Sequence, residues 1–129
     1  MKRLLILAVL SLCAGQAEAQ SSPFTAKALF DWCTSDQRSE RYFNCLLYVT
    51  GFLNGFNVGI TPADGPDNSS LLCLPSALTP ADAAYAFVRG WRSSTRGMEP
   101  SKLDAVSQEI PQVALSFQLM RAYPCKNSN

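Results

Sequence analysis

The stretch Cys45-Leu-Leu-Tyr-Val-Thr-Gly-Phe-Leu-Asn54 (CLLYVTGFLN) decides the fold of this chain. It lies inside a longer segment, residues 38–60, whose apolar spacing predicts a helix. The clear polar stripe of that helix consists of Thr50, Asn54 and Asn57. A helix with so little polar surface is usually covered by neighbours on several sides. We therefore expect it to be the central helix of an all-α fold.

Three glycines repeat every four residues along this helix: Gly51, Gly55 and Gly59. Each costs about 1 kcal/mol relative to alanine in a helix interior, so some contact must offset the cost. Close approach of another backbone would do so, with Phe52 and Phe56 packing beside the groove. We expect that backbone to belong to the same domain, and a contact between two protomers is the alternative.

Four cysteines, Cys33, Cys45, Cys73 and Cys125, fall at the ends of predicted helices. An even cysteine set in a small exported chain is typical of a disulfide framework. We expect Cys33–Cys45, since a short turn separates them. We also expect Cys73–Cys125, since one precedes the third helix and the other ends the last. The alternative pairs Cys33 with Cys125 and Cys45 with Cys73.

Residues 1–19 read as a signal peptide. A basic start (residues 1–3) precedes an apolar run (residues 4–12) that is too short to span a bilayer, and Ala17-Glu18-Ala19 predicts cleavage before Gln20. Acylation of Cys13 is the competing interpretation. The leader predicts a periplasmic protein, with residues 20–129 forming one domain. Basic and acidic residues balance after the leader, so we expect neither nucleic acid nor a membrane as partner.

The remaining segments also predict helices, which gives a small disulfide-stapled bundle of about four helices. A first helix covers residues 25–33, and a short one is possible over residues 101–109. Thr79, Pro80 and Asp82 start a third helix that continues to about Arg92. Pro111 opens the last helix, over residues 112–123. The predicted inner face of the third helix is Ala84, Phe87, Val88 and Trp91; that of the last helix is Val113, Phe117 and Met120, with Leu115, Leu119 and Ala122 alongside.

Catalysis and cofactor binding find little support. The chain contains no histidine, so the usual Ser-His and Cys-His nucleophile arrangements are absent. No Cys-x-x-Cys pair of the kind typical of four-cysteine zinc sites occurs. Asp64 and Asp67 lie in a Pro/Gly-rich segment and read as solvated turn residues rather than an acid–base pair. We therefore expect a binding protein that is not an enzyme and holds no metal or cofactor.

Three short motifs suggest a family: Cys45-x2-Tyr48-x2-Gly51, Cys73-Leu74-Pro75 and Tyr123-Pro124-Cys125. In order and spacing the chain resembles the Rap/Tai immunity proteins, which protect bacteria against peptidoglycan amidases delivered by type VI secretion. The resemblance covers nearly all of the chain after the leader. It implies a small helical, disulfide-bonded periplasmic protein that blocks the substrate groove of an amidase, often as a homodimer. Asn54 stands where many members carry an acidic residue.

Two exposed segments are candidates for contact with such a partner: the loop 62–70 and the polar side of the third helix. The candidate residues are Asp64, Asp67 and Asn68 in the loop and Tyr85, Arg89 and Arg92 on the helix. Two other functions remain open. One is an envelope-associated binding module with a different partner. The other is a small acid-stress chaperone, for which one disulfide rather than two is expected.

Overall fold

The computed structural model describes residues 24–59 and 73–125, and these residues form helices joined by turns. The helices are α1 (Ala26–Cys33), α2 (Glu40–Gly59), α3 (Pro80–Thr95), α4 (Pro100–Ser107) and α5 (Pro111–Ala122). The prediction of a small all-α, disulfide-stapled bundle is confirmed. The short helix suggested after residue 100 is present as α4, so the described residues form five helices where about four were predicted. The predicted leader and loop 62–70 lie outside the described residues. No helix within the described ranges is long and apolar enough to cross a membrane.

Side-chain caps fix where the first two helices begin. The Thr25 hydroxyl accepts a hydrogen bond from the Ala28 amide at 3.3 Å at the start of α1. The Ser39 hydroxyl accepts one from the Tyr42 amide at 3.2 Å. Because Ser39 takes the capping position, α2 begins at Glu40, two residues later than predicted.

The start of α3 is the capping box that the sequence predicts. The Thr79 hydroxyl accepts a hydrogen bond from the Asp82 amide at 3.1 Å, and the Asp82 carboxylate accepts one from the Thr79 amide at 3.4 Å. Pro80 occupies the first turn, where a missing amide proton costs nothing. This start fixes the direction in which α3 leaves the preceding turn.

Two disulfides join the ends of the helices, and they are the predicted pairs. Cys33–Cys45 links the end of α1 to the second turn of α2, with Cα atoms 5.1 Å apart. Cys73–Cys125 links the segment before α3 to the residues after α5, with Cα atoms 5.0 Å apart. From sequence separations of 12 and 52, loop closure gives about 3 kcal/mol for the first bond and about 4 kcal/mol for the second.

Two helices share the centre of the bundle: α3 packs against α1, α2 and α5, and α1 packs against α2, α3, α4 and α5. The prediction that α2 is central is wrong, because α2 packs on α1 and α3 and keeps one apolar face exposed. The α1 amide of Ala26 also donates to the Glu109 carbonyl at 2.8 Å, which ties α1 to the turn before α5. The largest fully buried side chains are Phe87, Leu29, Leu115, Leu119, Val49 and Cys45.

The predicted inner face of α5 is wrong for two residues. Val113 is 48% exposed and Phe117 is 50% exposed, whereas Leu115 and Leu119 are buried as expected. Gln118 is also buried, because it lies against Gly90 of α3, where no side chain opposes it. The helix therefore turns its polar glutamine inward and leaves two large apolar side chains outside.

The expected backbone approach at the α2 glycines is also wrong within this chain. Gly51 and Gly55 are exposed, and a Cβ atom added to either would meet nothing within 4 Å. The close helix contact occurs instead at Gly90, where an added Cβ would lie 3.1 Å from Cδ of Gln118. The alternative interpretation, that the α2 glycines serve a contact between protomers, stays a prediction.

Candidate binding site

The outer face of α3 brings together the three helix residues predicted to bind a partner. Tyr85 is 68% exposed, and Arg89 and Arg92 are exposed beside it. Arg96, which follows the last residue of α3, extends the row and was not among the residues predicted from the sequence. We call Arg89, Arg92 and Arg96 the arginine ladder. Tyr85 and the ladder line a groove of about 310 Å³ together with Val88 and Ser93.

Aromatic rings support two of the three guanidinium groups. Cζ of Arg89 lies 5.8 Å from the centre of the Tyr85 ring. Cζ of Arg92 lies 5.9 Å from the centre of the Phe30 ring on α1, and Phe30 in turn stacks on Trp91. Cation–π contacts of this kind limit the positions that a long arginine side chain can take. The two rings therefore restrict the side-chain positions of Arg89 and Arg92.

The ladder has no acidic counterpart among the described residues. In those ranges the structure records one ion pair, Lys27–Asp31 at 2.7 Å, on the exposed side of α1. The acidic residue of α3, Asp82, accepts hydrogen bonds from Thr79 at the opposite end of the helix. The C-terminal end of the α3 dipole is negative. It therefore stabilises the positive charges of Arg92 and Arg96 within the protein itself.

A rigid scaffold holds this face. The opposite side of α3 is packed into the core through residues that include Ala83, Ala86, Phe87 and Trp91. The predicted division of α3 is confirmed for Ala84, Phe87 and Trp91 inside and Tyr85 outside, whereas Val88, predicted inside, is half-buried and lines the outer groove. The disulfide from Cys73 fixes the chain shortly before α3 begins. Recognition residues are commonly presented in this way, on a surface whose backbone does not have to be ordered on binding.

The second predicted contact segment lies outside the described residues. Asp64, Asp67 and Asn68 belong to it, and their contribution to binding stays a prediction. The segment ends in sequence at Cys73, whose disulfide to Cys125 belongs to the described fold.

A second surface lies on α2 and was only partly visible in the sequence. Phe43 is 58% exposed and Leu47 is 54% exposed, and they continue the four-residue spacing of Gly51 and Gly55. We call Phe43, Leu47, Gly51 and Gly55 the α2 face. A groove of about 480 Å³ runs along Leu47, Gly51 and Gly55, and it is lined also by Tyr48, Phe52, Phe56 and Gln112. The sequence would have predicted this surface if Phe43 and Leu47 had been included with the glycines in the four-residue spacing.

Tyr48 lies at the edge of this groove with its hydroxyl enclosed. The hydroxyl oxygen has no hydrogen-bond partner among the described residues. Its ring lies 5.3 Å from that of Phe24, which also packs on Trp32. Burial raises the pKa of Tyr48 above its usual value, because the ionised form would lose solvation there.

A third cavity, of about 290 Å³, lies between α3, α4 and α5 and is mostly apolar. Trp91, Met98, Val106 and Phe117 line it, and Gln118 closes one side. Gln118 Nε2 donates to the Ser94 hydroxyl at 3.1 Å. Within residues 24–59 and 73–125 no group of three potential metal ligands comes together.

No protein-family model, no curated protein and no solved structure matches this chain. The resemblance to the Rap/Tai proteins therefore rests on the three cysteine motifs. It supplies a function only as a proposal.

Proposed function

We propose that this protein is a periplasmic immunity-type protein that binds a peptidoglycan amidase and occludes its substrate groove. The observation that supports the proposal is the outer face of α3. Tyrosine and arginine are, with tryptophan, the residue types enriched at the hot spots of protein interfaces. Here an exposed Tyr85 and two exposed arginines, Arg89 and Arg92, stand together on a disulfide-stapled scaffold.

Inhibition of this kind requires only that the protein covers the substrate groove of the amidase; no covalent step is needed. A stable protein–protein interface buries about 800 Å² on each partner and uses about 20–30 residues a side, whereas six residues line the α3 groove. We therefore assign the remaining contact to the segment 62–70, with Asp64, Asp67 and Asn68. In sequence this segment lies between α2 and Cys73, on the approach to α3.

The proposed compartment follows from the leader and the disulfides. Disulfides persist in oxidising compartments such as the bacterial periplasm. Two are present in this fold, and the N-terminal sequence has the pattern of a signal peptide. Peptidoglycan amidases that attack the cell wall act in the same compartment, so inhibitor and target would meet there.

The resemblance also implies a homodimer, and we assign its contact to the α2 face. Phe43 and Leu47 supply exposed apolar surface of a kind that is enriched in homodimer interfaces. Gly51 and Gly55 would allow a second helix to approach closely. In this arrangement the outer face of α3 remains available for the amidase.

Co-purification tests the proposal. The tagged exported protein is recovered under oxidising conditions from the periplasm of the bacterium that makes it, and bound proteins are identified by mass spectrometry. We expect a peptidoglycan amidase to be enriched, and to be lost with the variant Tyr85→Ala/Arg89→Ala. Arg38→Ala/Arg41→Ala, which alters exposed residues near the start of α2, is the control and should keep the amidase.

Two results would replace the proposal with its alternatives. Enrichment of an envelope protein that is not an amidase would identify a binding module of a different kind. Suppression of acid-induced aggregation of model clients, without a specific partner, would identify a chaperone.

A further inference from the structure

We propose that the arginine ladder binds an acidic segment of a protein partner, with a carboxylate against each guanidinium. This inference rests on the proposed function, because it assigns a partner chemistry to the same face of α3. It goes beyond that proposal by stating what the partner must carry. The partner surface that meets Arg89, Arg92 and Arg96 should be rich in aspartate or glutamate.

The spacing of the ladder sets the spacing of the carboxylates. Arg89 and Arg92 lie in α3 and Arg96 directly follows it, at intervals of three and four residues, and all three line the same groove. Helical positions at these intervals have about 5–6 Å between neighbouring Cβ atoms. At a rise of 1.5 Å per residue the whole row spans about 10 Å. An extended strand places every second side chain on one side, about 6.6 Å apart. An acidic segment with Asp or Glu at alternate positions therefore matches the ladder.

The guanidinium groups are available for this contact. Each carries five N–H donors in a fork that fits a carboxylate through two parallel hydrogen bonds. No described side chain or carbonyl oxygen accepts a hydrogen bond from Arg89, Arg92 or Arg96, and no described carboxylate pairs with them. The guanidinium of Arg89 lies over the Tyr85 ring, and that of Arg92 lies over the Phe30 ring. A guanidinium that contacts a ring through its face uses none of its N–H donors in that contact.

The surroundings favour a protein over a membrane or a nucleic acid. The formal net charge of the chain is +1, far from the strongly basic balance that nucleic-acid binding produces. Clusters that hold anionic lipid surfaces usually contain about four to eight basic residues, and the ladder has three. The ladder also lines a groove together with the apolar sides of Tyr85 and Val88. A groove with apolar walls suits a peptide segment better than a flat bilayer.

The test measures binding of a fluorescein-labelled oligoglutamate peptide to the oxidised exported protein by fluorescence anisotropy at low ionic strength. The test variant replaces Arg89, Arg92 and Arg96 by glutamine. The matched control variant replaces Arg38, Arg41 and Lys102 by glutamine, so that both variants lose the same charge at exposed positions. Circular dichroism checks that each variant keeps its helices.

We expect the ladder variant to bind the peptide about tenfold more weakly than the parent, as three exposed charge pairs would give. The control variant should bind almost as tightly as the parent. Equal losses in the two variants would overturn the proposal, because net charge alone would then explain binding. Preference of the parent for phosphatidylglycerol vesicles over the peptide, lost in the ladder variant, would also overturn it in favour of a membrane surface.

The same variants separate this inference from the proposed function. If the ladder variant still captures an amidase as tightly as the parent, the ladder is not the contact and the inference falls, while the immunity function stands. If the peptide binds through the ladder but no amidase binds the parent, the immunity function falls and the acid-binding surface stands.

Discussion

Gly90 of α3 and Gln118 of α5 oppose each other where the two helices pack together. A Cβ atom on Gly90 would lie 3.1 Å from Cδ and 3.2 Å from Cβ of Gln118, both tighter than ordinary van der Waals contact. Gln118 is 5% exposed, and its Nε2 donates to Ser94 one turn further along α3. The glutamine therefore lies along α3 in space that only a glycine at position 90 leaves open.

The first prediction concerns this contact. Gly90→Ala should destabilise the fold, because Gln118 must move and lose its hydrogen bond to Ser94. Overpacking of this kind costs about 1–3 kcal/mol, against about 1 kcal/mol gained in helix propensity. The melting temperature should fall. Gly90→Ala should lower the melting temperature less in a Gln118→Ala background than in the parent, because the side chain that it meets has been shortened.

Gly55→Ala is the matched control, measured at a dilution at which the protein is monomeric, because Gly55 belongs to the α2 face proposed as the dimer contact. It makes the same substitution in a helix, but the added Cβ meets nothing within 4 Å. Thermal unfolding should show a gain of about 1 kcal/mol from helix propensity alone. If Gly90→Ala stabilised the protein as much as Gly55→Ala, the close α3–α5 contact would be refuted.

The second prediction concerns the order in which the disulfides are reduced. Cys33 and Cys45 are buried, whereas Cys73 is exposed. Thiol–disulfide exchange requires access to a sulfur, so limited dithiothreitol should open Cys73–Cys125 first. Alkylation followed by peptide mapping reads out the order. Earlier labelling of Cys33 and Cys45 would contradict the burial of that bond. Recovery of a Cys33–Cys125 peptide from the untreated protein would contradict the pairing.

The sequence predicted features that depend on neighbouring residues. The capping box at Thr79 and Asp82 needs residues three apart in the chain, and its geometry leaves little choice. Cys33 and Cys45 are separated by one short turn, so Cys45 is closer to Cys33 along the chain than the alternative partner, Cys125. These predictions succeeded because local geometry alone decides them.

Predictions of burial failed where a helix has more than one apolar side. In α5, Val113 and Phe117 compete with Leu115 and Leu119 for the core, and periodicity cannot choose between the two sets. Gly90, on another helix, leaves space for the Gln118 side chain. With Gln118 packed against α3, Leu115 and Leu119 are buried, and Val113 and Phe117 lie outside. The same limit applies to α2, whose glycines indicate a close contact without indicating which molecule supplies it.

The third prediction concerns the α2 face. If it joins two copies of the chain, Leu47→Arg should abolish the dimer, because a charge would be buried without a partner. Leu47 is half exposed in the single chain, so the monomer should keep its helices and melting behaviour. Sedimentation velocity measures the oligomeric state. Arg121→Glu, at an exposed position on α5, is the control and should leave the dimer intact. A monomeric parent protein at high concentration would contradict the assignment.

The fourth prediction concerns pH. Burial raises the pKa of Tyr48 above about 10, so the folded state holds the hydroxyl proton more tightly than the unfolded state does. That contribution to stability is complete below the unfolded pKa and is lost as the pH rises through the folded one. Denaturant unfolding should therefore show stability falling above about pH 10, and Tyr48→Phe should reduce the fall.

Tyr48→Phe should cost little at neutral pH, because the hydroxyl that it removes has no described hydrogen-bond partner. Tyr85→Phe, which removes a tyrosine hydroxyl at an exposed position, is the matched control for the substitution itself. A large loss of stability in Tyr48→Phe at neutral pH would show that the hydroxyl has an important partner.

The most direct test of the proposed function is the activity of the co-purified amidase on isolated peptidoglycan, measured while the oxidised protein is added. We predict that activity falls to the background at equimolar inhibitor. Tyr85→Ala/Arg89→Ala should require at least about tenfold more protein, since truncating interface residues of these types commonly costs more than about 1 kcal/mol each. Unchanged amidase activity in excess protein would contradict the account.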